Sequence, residues 1–164
     1  MNSHQVEATK APRPPKLLLV ASSGGHIYEM FCLREFWRDK ERVWVSFPTA
    51  DAKHLLAHEA AVHWAAFPTT RNVPNLLRNL LLAFRLLRRE RPTMILSTGA
   101  GVAVPFFWIA RLLGIPAVYL ESITRITDLS LTCRLVRPFA SRVLVQWPEL
   151  AGSAGGTEHH GRIA

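Results

Sequence analysis

Leu17-Leu-Leu-Val-Ala-Ser-Ser-Gly-Gly-His-Ile-Tyr-Glu29 is the stretch that decides the fold. Its first four residues form an apolar run without charge, which is typical of a strand buried on both faces of a parallel sheet. Ser22-Ser-Gly-Gly25 ends this run, and the apolar residues that follow recur at helical spacing. A strand, a turn of small residues and a helix in this order predict the opening unit of an α/β sheet. Such a unit presents backbone N–H groups at a helix N-terminus, where phosphate groups bind.

The turn, formed by Ser22, Ser23, Gly24 and Gly25, allows two interpretations. Glycines lack Cβ, so they permit positive φ angles and let a ligand approach the backbone closely. In that case the turn binds phosphate, and His26 lies beside it in the first helical turn. Alternatively, the glycines serve only the packing of a tight turn, because the pattern matches neither a P-loop nor a complete GxGxxG motif. The turn alone leaves both interpretations open.

Composition bounds the class of protein and its partners. A chain of 164 residues suits one domain, and with 49% apolar and 20% charged residues it is globular. The formal charge of +8 indicates an anionic partner, which could be nucleic acid, a membrane surface or a phosphorylated substrate. Nucleic acid is disfavoured because the arginines alternate with leucines rather than with exposed aromatic residues. Cys32 and Cys133 are interpreted as free thiols of a cytosolic protein.

The pattern of elements predicts an α/β fold with a Rossmann-like, doubly wound, mostly parallel sheet of about six strands. Residues 16–150 alternate between short apolar strands and helical segments, as parallel βαβ units do. Residues 1–15 are polar and rich in proline, and we expect a disordered tail there. Residues 151–164 are interpreted as a C-terminal tail and a candidate contact for a partner. We expect no membrane-spanning helix, because no apolar stretch reaches roughly 20 residues.

Polar clusters follow five of the predicted strands. Since ligands of open α/β sheets bind outside the carboxyl ends of the strands, these clusters predict one shared site rather than five separate surfaces. The clusters are Ser22–His26, Thr69–Asn72, Ser97–Gly101, Glu121–Arg125 and Gln146–Glu149. We expect no metal in this site, because the histidine spacing does not fit the HExxH pattern.

One predicted helix, residues 72–91, carries more leucine than a single core-facing stripe requires. Its apolar arc exceeds the ~100° that packs a helix onto a sheet. The helix could be a core helix with a solvated arginine edge, or part of its leucine excess could lie in an anionic bilayer surface. The membrane interpretation assigns bilayer contact to Leu82, Leu86, Arg78, Arg85, Arg88 and Arg89.

Six motifs occur in an order that resembles a known family. They are Ser22-Ser-Gly-Gly-His26, Ser97-Thr-Gly-Ala-Gly-Val-Ala-Val-Pro-Phe106, Tyr119-Leu-Glu-Ser122, Thr124-Arg125, Ser130-Leu-Thr132 and Val145-Gln-Trp-Pro-Glu-Leu150. Together they resemble the family of the asparagine-linked glycosylation protein fourteen and its bacterial PssD-type relatives in polysaccharide biosynthesis. The resemblance runs from about Lys16 to the C-terminus.

The resemblance implies the N-terminal half of a split GT-B glycosyltransferase similar to MurG. The chain would be the acceptor-binding, membrane-associated subunit of an enzyme that transfers a sugar from a UDP-sugar to a lipid-pyrophosphate-linked acceptor. A PssE-type partner would bind most of the UDP-sugar, and no cofactor would be needed. Because the chain begins with a polar tail where eukaryotic relatives have an anchor, we expect peripheral association with the cytoplasmic face of the membrane. Two alternatives are a non-catalytic membrane scaffold that recruits a cytosolic glycosyltransferase, and a small nucleotide-binding protein unrelated to sugars.

Within this family interpretation, individual residues receive roles. His26 is the candidate catalytic base, since an imidazole titrates near neutral pH. Glu121 would orient His26 or bind a sugar hydroxyl, or it would only pair with Arg125 to order the loop. The family's Ser-Leu-Thr-Gly-Lys pattern reads Ser130-Leu-Thr-Cys133-Arg134 here, which removes a glycine from that segment. The residues expected to bind the acceptor pyrophosphate are Ser22, Ser23, Gly24, Gly25, Thr98, Gly99, Gly101, Ser122 and Arg125.

Overall fold

A computed structural model describes residues 14–152 and 155–163 and contains a parallel sheet of seven strands. The predicted N-terminal tail therefore lies outside the described residues except for positions 14 and 15. The strands are β1 (Lys16–Ala21), β2 (Glu41–Ser46), β3 (Val62–Trp64), β4 (Met94–Gly99), β5 (Ala117–Leu120), β6 (Arg142–Val145) and β7 (Thr157–His159). Their order across the sheet is β3-β2-β1-β4-β5-β6-β7, and every neighbouring pair is parallel.

Six α-helices cover the two faces of this sheet. They are α1 (Gly25–Cys32), α2 (Arg34–Trp37), α3 (Ala50–Leu55), α4 (Val73–Glu90), α5 (Ala103–Leu113) and α6 (Leu131–Val136), and two short 3-10 turns occupy Arg137–Phe139 and Pro148–Leu150. Successive side chains of β1 point to opposite faces, so Leu17 and Leu19 pack in the layer of α1, α2 and α3. Leu18 and Val20 pack in the layer of α4, α5 and α6. The predicted doubly wound α/β fold is confirmed.

The sheet has one strand more than predicted, because β7 lies within the range interpreted as a C-terminal tail. Thr157 pairs with Val143 of β6, and its buried hydroxyl donates to the carbonyl of Leu150 at 2.7 Å. Further along, the N–H of Ile163 donates to the side chain of Gln146 at 3.2 Å. The domain thus continues past residue 150. The sequence Thr157-Glu-His159 is short and polar, so hydrophobic periodicity carries no signal for this edge strand.

Helix α4 begins and ends as the sequence predicts, but its orientation differs from the expectation. Asn72 caps the helix by accepting the N–H of Asn75 at 3.0 Å, and Arg91 ends it in a left-handed conformation. Leu86 is only 3% exposed and belongs to the core, so its predicted membrane contact is wrong. Leu82 is partly buried against the same core, so only part of its side chain is available to a membrane.

Two asparagines explain which face of α4 packs against the rest of the domain. Asn79 is buried and bonds both the N–H and the carbonyl of Ala66, at 2.8 and 3.0 Å. Asn75 donates to the carbonyl of Pro68 at 2.8 Å. Because these amides satisfy the backbone of the loop that precedes the helix, the face that carries Asn75 and Asn79 points inward. Leucines are therefore left on the outer face.

Among the described residues, no helix combines the length and the apolar character that crossing a membrane requires.

Candidate functional site

The candidate site is a cleft of about 1100 Å³ at the carboxyl ends of β1, β4 and β5. The strand order reverses between β1 and β4, and open α/β sheets bind their ligands at such a reversal. The cleft is lined by parts of α1, the loop before α4, the turn after β4, the loop after β5, and α6. Four of the five predicted polar clusters contribute to its lining, so the expected shared site exists in the fold.

His26 lines the cleft and is fixed there by a reciprocal pair of contacts with Thr98. Its Nδ1 lies 2.8 Å from the carbonyl oxygen of Thr98, and the Thr98 hydroxyl donates to the carbonyl of His26 at 2.6 Å. A carbonyl can only accept, so we assign the ring proton to Nδ1. This tautomer leaves the lone pair of Nε2 free to accept a proton.

Gly99 provides the space in which the imidazole lies. Its φ angle is +125°, and a Cβ at this position would come within 2.7 Å of both Nδ1 and Cε1 of His26. Thr98 and Gly99 are buried and do not line the cleft. Their expected contact with pyrophosphate is therefore wrong in this structure, where both residues position His26 instead.

Glu29 is a site residue that the sequence interpretation missed. It lies on the same face of α1 as His26, three residues further along, and one carboxylate oxygen is 3.8 Å from Nδ1 of His26. Burial lowers the pKa of His26. The Glu29 carboxylate, the Thr98 carbonyl and the more distant charge of Glu121 together outweigh that effect, so the pKa is raised above its ordinary value. The spacing of His26 and Glu29 in the quoted stretch was the available signal, because residues at i and i+3 share a helical face.

Glu121 lies in the loop after β5 and braces that loop. It is 1% exposed, and its two oxygens accept the backbone N–H groups of Ser122 at 3.0 Å and Ser130 at 2.7 Å. The expectation that Glu121 orients His26 is wrong, because Glu29 is the carboxylate in contact with the ring. The described part of the chain shows no ion pair between Glu121 and Arg125. A contact between Glu121 and a sugar hydroxyl stays a prediction.

Only part of the first glycine turn faces the cleft. Gly25 lines the cleft, whereas Ser22, Ser23 and Gly24 do not. The N–H of Gly24 donates to the carboxylate of Asp51 at 2.8 Å, so one of the donors predicted for phosphate is already engaged. The neighbouring Thr49 hydroxyl and the hydrogen bond from this N–H hold the pKa of Asp51 below its ordinary value.

The second glycine turn and the loop after β5 supply the remaining predicted residues. Gly101 and Ser122 line the cleft, and so does Ala100, whose φ is 67°. Gly101 passes close to Thr69, since a Cβ there would lie 2.8 Å from the Thr69 hydroxyl. This close approach joins the turn after β4 to the loop before α4.

Two exposed arginines line the cleft from different loops. Arg125, which the sequence indicated, follows β5, and Arg71, which it did not, precedes α4 with a φ of 50°. Neither arginine takes part in an ion pair within residues 14–152 and 155–163. Two uncompensated guanidinium groups at one cleft favour an anionic ligand, and their planar donor geometry suits phosphate oxygens.

The cleft also has a wall of apolar side chains contributed by α4, α5 and α6. We call this set the apolar wall. Leu131 is the most exposed of its members, at 72%. The members are Val73, Leu76, Val104, Trp108, Leu131 and Leu135.

The outer face of α4 carries a second apolar surface that meets this wall. We call it the outer stripe, and its members are Val73, Leu77, Leu81 and Phe84. Val73 belongs to both surfaces, so the cleft is continuous with the outer stripe. The guanidinium of Arg88 lies 5.3 Å from the centre of the Phe84 ring.

The other predicted membrane arginines of α4 differ in their contacts. Arg78 and Arg85 line a small pocket of about 300 Å³ beside Leu81. Arg89 pairs with Glu90 at 2.7 Å, which partly neutralises it. All four arginines are exposed, and their contact with an anionic membrane surface stays a prediction.

Cys133, which stands where the family pattern has glycine, lies in the first turn of α6. Its N–H donates to the hydroxyl of Ser130 at 3.0 Å, which caps this helix. Burial, reinforced by the negative charge of Glu121, raises the pKa of the thiol to about 12. The thiol is therefore inert, and the side chain does not line the cleft.

In the part of the chain that the structure describes, no three His, Cys, Asp or Glu side chains form a group that could hold a metal ion.

Comparisons with known proteins agree with this geometry. Residues 17–163 match the model of the family described as "Oligosaccharide biosynthesis protein Alg14 like". Over an alignment of 175 positions, the chain is 27% identical to the UDP-N-acetylglucosamine transferase subunit ALG14 of Yarrowia lipolytica, and the alignment covers 90% of this chain and 80% of that relative. It is also 27% identical over 150 residues to a UDP-N-acetylglucosamine--N-acetylmuramyl-(pentapeptide) pyrophosphoryl-undecaprenol N-acetylglucosamine transferase of Herminiimonas arsenicoxydans, covering 84% of this chain and 41% of that enzyme.

Among solved structures, the fold is similar to that of MurG from Acinetobacter baumannii. The TM-score is 0.75 at 19% identity, and the match covers 89% of this chain and 45% of the MurG chain. The fold is thus that of about half of a MurG-like GT-B protein. Since the family match spans nearly all of the described residues and agrees with the order of the sequence motifs, the chain belongs to the family of Alg14-like oligosaccharide biosynthesis proteins.

Proposed function

We propose that this chain is the acceptor-binding subunit of a two-chain glycosyltransferase that uses a UDP-sugar and a lipid-pyrophosphate-linked acceptor. One observation carries the proposal: a single cleft combines a histidine, two unpaired arginines and an apolar wall that continues onto the outer stripe. These three kinds of surface suit the sugar, the pyrophosphate and the lipid of such an acceptor. The names of relatives support UDP-N-acetylglucosamine as the donor.

In the proposed reaction, His26 acts as the general base. Its Nε2 accepts the proton of the acceptor hydroxyl, whose oxygen attacks the anomeric carbon while the bond to UDP breaks. Arg71 and Arg125 hold the acceptor pyrophosphate, and the backbone N–H groups of Gly25 and Gly101 add neutral donors. We propose that no cofactor takes part, since the displacement of UDP by the acceptor hydroxyl changes no oxidation state. The donor is bound mainly by the partner chain.

The partner is proposed to be a PssE-type subunit that supplies the other half of the GT-B cleft. Two findings support a partner chain, whereas its PssE-type identity rests only on the resemblance of the sequence motifs: the chain matches 45% of MurG, and the Yarrowia relative is named a transferase subunit. The proposed contact of the C-terminal segment with the partner stays a prediction. We place the assembled enzyme on the cytoplasmic face of the membrane, held peripherally by the outer stripe and the arginines of α4. Such contacts give salt-sensitive binding to anionic lipid with an apolar component that salt does not remove.

The experiment that tests acceptor binding replaces both cleft arginines in the assembled enzyme. Arg71→Ala combined with Arg125→Ala should raise the KM for the lipid-pyrophosphate acceptor roughly 10–100-fold, the loss expected for charge-assisted hydrogen bonds. The KM for the UDP-sugar should stay within twofold. Arg111→Ala is the matched control, because Arg111 is an exposed arginine on α5 outside the cleft. An unchanged acceptor KM, or an effect confined to the donor KM, would contradict the proposal.

A non-catalytic scaffold is the second candidate function. The observation that favours it is the first glycine turn, where Asp51 occupies the N–H of Gly24 and three of the four turn residues do not face the cleft. A scaffold should tolerate His26→Ala with unchanged transfer by its partner. The glycosyltransferase subunit should not tolerate this substitution.

A further inference from the structure

Glu29 has an unusual environment for a carboxylate. It is 5% exposed, in the helix that begins at the first glycine turn. Its Oε1 accepts two hydrogen bonds, from the Ser122 hydroxyl at 2.8 Å and from the N–H of Ile123 at 2.9 Å. Its Oε2 is buried and has no hydrogen-bond partner. Burying a carboxylate oxygen without a hydrogen-bond partner lowers the stability of the fold, so such an atom calls for a functional explanation.

The unpaired oxygen is held beside the imidazole of His26. Oε2 lies 3.8 Å from Nδ1, too far for a hydrogen bond but close enough for strong attraction to a positive ring. Nδ1 itself is engaged by the carbonyl of Thr98 at 2.8 Å. The two donors from the loop after β5 fix the carboxylate on its other side, so Glu29 cannot rotate away from the ring.

Other groups face the same ring from the neighbouring elements. The charge of Glu121 reaches His26 from the loop after β5, but both of its oxygens accept backbone N–H groups. The neutral hydroxyl of Tyr119 approaches from β5 beside Gly99. Arg71 and Arg125 line the same cleft, and a guanidinium brought close to the ring would disfavour positive charge on it.

We infer that Glu29 is a positioning residue whose carboxylate stabilises the imidazolium that His26 becomes when it accepts the acceptor proton. This inference rests on the proposed function, in which His26 is the base. The hydroxyl proton moves to Nε2, the hydroxyl oxygen forms the new bond to the anomeric carbon, and UDP leaves with the electron pair of the broken bond. The imidazolium then returns its proton to solvent. Glu29 neither gains nor loses a proton in this sequence.

The same carboxylate also connects the base to the acceptor side of the cleft. Ser122, which Glu29 holds, lines the cleft in the loop that carries Arg125. A shift of this loop would therefore move Oε2 relative to the ring. Glu29 thus couples the position of the loop after β5 to the charge state that His26 can adopt.

The test uses Glu29→Gln, which keeps an oxygen for the two loop donors and removes the charge. The first measurement follows the ring signals of His26 by NMR against pH in the isolated chain, where no transferase activity is needed. The His26 titration should move to lower pH in this variant. Glu35→Gln is the matched control, because Glu35 is an exposed carboxylate on α2 paired with Arg38, and it should leave the titration unchanged.

The second measurement is the pH–rate profile of the assembled enzyme. Because His26 must be unprotonated to act as a base, the acidic limb of kcat/KM should move to lower pH in Glu29→Gln. The plateau value of kcat should fall roughly 10–100-fold, the effect of losing one interaction with a charged group. The acceptor KM should stay within threefold, because the loop contacts are kept.

Each outcome decides the inference. An unmoved His26 titration, or full kcat with an unmoved acidic limb, would overturn it and leave Glu29 as a brace for the loop. If the wild-type assembly transfers no sugar but the titration still moves, the proposed transferase function fails while the coupling of Glu29 to His26 stands. If Glu29→Gln does not fold, the wild-type titration decides, since burial alone would place it below that of an ordinary histidine. A wild-type titration at or below the ordinary value would overturn the inference.

Discussion

Gly99→Ala is the smallest substitution that reaches the proposed base. The new Cβ would lie 2.7 Å from Nδ1 and Cε1 of His26, whereas ordinary van der Waals contact begins at 3.4 Å. The ring must therefore move by the difference, about 0.7 Å, which breaks the contact with the Thr98 carbonyl or carries Nε2 away from its place in the cleft. Alanine at a φ of +125° adds backbone strain of roughly 1–3 kcal/mol.

The two consequences are measured separately. For a chain of this size the strain corresponds to a fall in Tm of roughly 3–10 °C, measured by circular dichroism. A displacement of nearly 1 Å at a catalytic group should lower kcat of the assembled enzyme by roughly 10–100-fold. The His26 ring signals should also shift in the NMR spectrum of the isolated chain.

Gly114→Ala is the matched control for backbone strain. Gly114 has a φ of +68°, but a Cβ there meets nothing within 4 Å, and the residue lies at the end of α5 outside the cleft. This variant should lose about 1 kcal/mol of stability and keep its kcat. If Gly99→Ala keeps the wild-type Tm, kcat and His26 signals, the assignment of Gly99 as the space for the imidazole is refuted.

Three further substitutions probe the base, the membrane surface and the fold. His26→Ala in the assembled enzyme should lower kcat by roughly 10²–10⁴-fold with little change in partner binding, and His26→Asn should not recover the rate. Full activity of His26→Ala would instead support the non-catalytic scaffold. Leu77→Ser with Leu81→Ser should weaken sedimentation with anionic vesicles in high salt, whereas Leu112→Ser, at a still more exposed leucine of α5, should not. Equal binding of the wild type and both variants would refute a membrane role for the outer stripe. Asn79→Leu should lower the free energy of unfolding, measured in urea, by roughly 2–4 kcal/mol, because the N–H and the carbonyl of Ala66 lose their partner. A loss below 1 kcal/mol would contradict the role of Asn79 in holding α4 against the preceding loop.

The fold was predictable because its signals are local. The buried strand Leu17–Val20, the glycine turn and the following helical periodicity specify the first unit, and the same pattern repeats along the chain. β7 was not predictable, because Thr157 is buried by its pairing with β6 and not by an apolar pattern of its own. Its contribution to the sheet depends on contacts that residue spacing does not encode.

The orientation of α4 shows a second limit of sequence reasoning. A helix that is apolar around most of its circumference does not reveal which side meets the sheet. Asn75 and Asn79 decide it, since their amides must reach backbone groups of the preceding loop. Leu86 consequently lies in the core, while Leu77 is exposed.

The site was predictable in place but not in detail. The clusters after the strands located the cleft, and His26 was identified within it. The sequence alone could not show which carboxylate, Glu29 or Glu121, lies beside His26. The structure shows that Glu29 lies 3.8 Å from the ring, whereas Glu121 accepts backbone N–H groups of the loop after β5. Arg71 was missed because a single arginine in a polar loop resembles any solvated residue.

The central claim is that this chain binds the lipid-pyrophosphate acceptor and leaves the UDP-sugar to its partner. Isothermal titration calorimetry of the isolated chain tests it most directly, with a short-chain prenyl-pyrophosphate sugar and with UDP-N-acetylglucosamine as separate ligands. We expect saturable binding of the prenyl-pyrophosphate sugar, weakened by Arg71→Ala with Arg125→Ala, and no measurable binding of the nucleotide sugar. Tight binding of UDP-N-acetylglucosamine without binding of the prenyl-pyrophosphate sugar would contradict it.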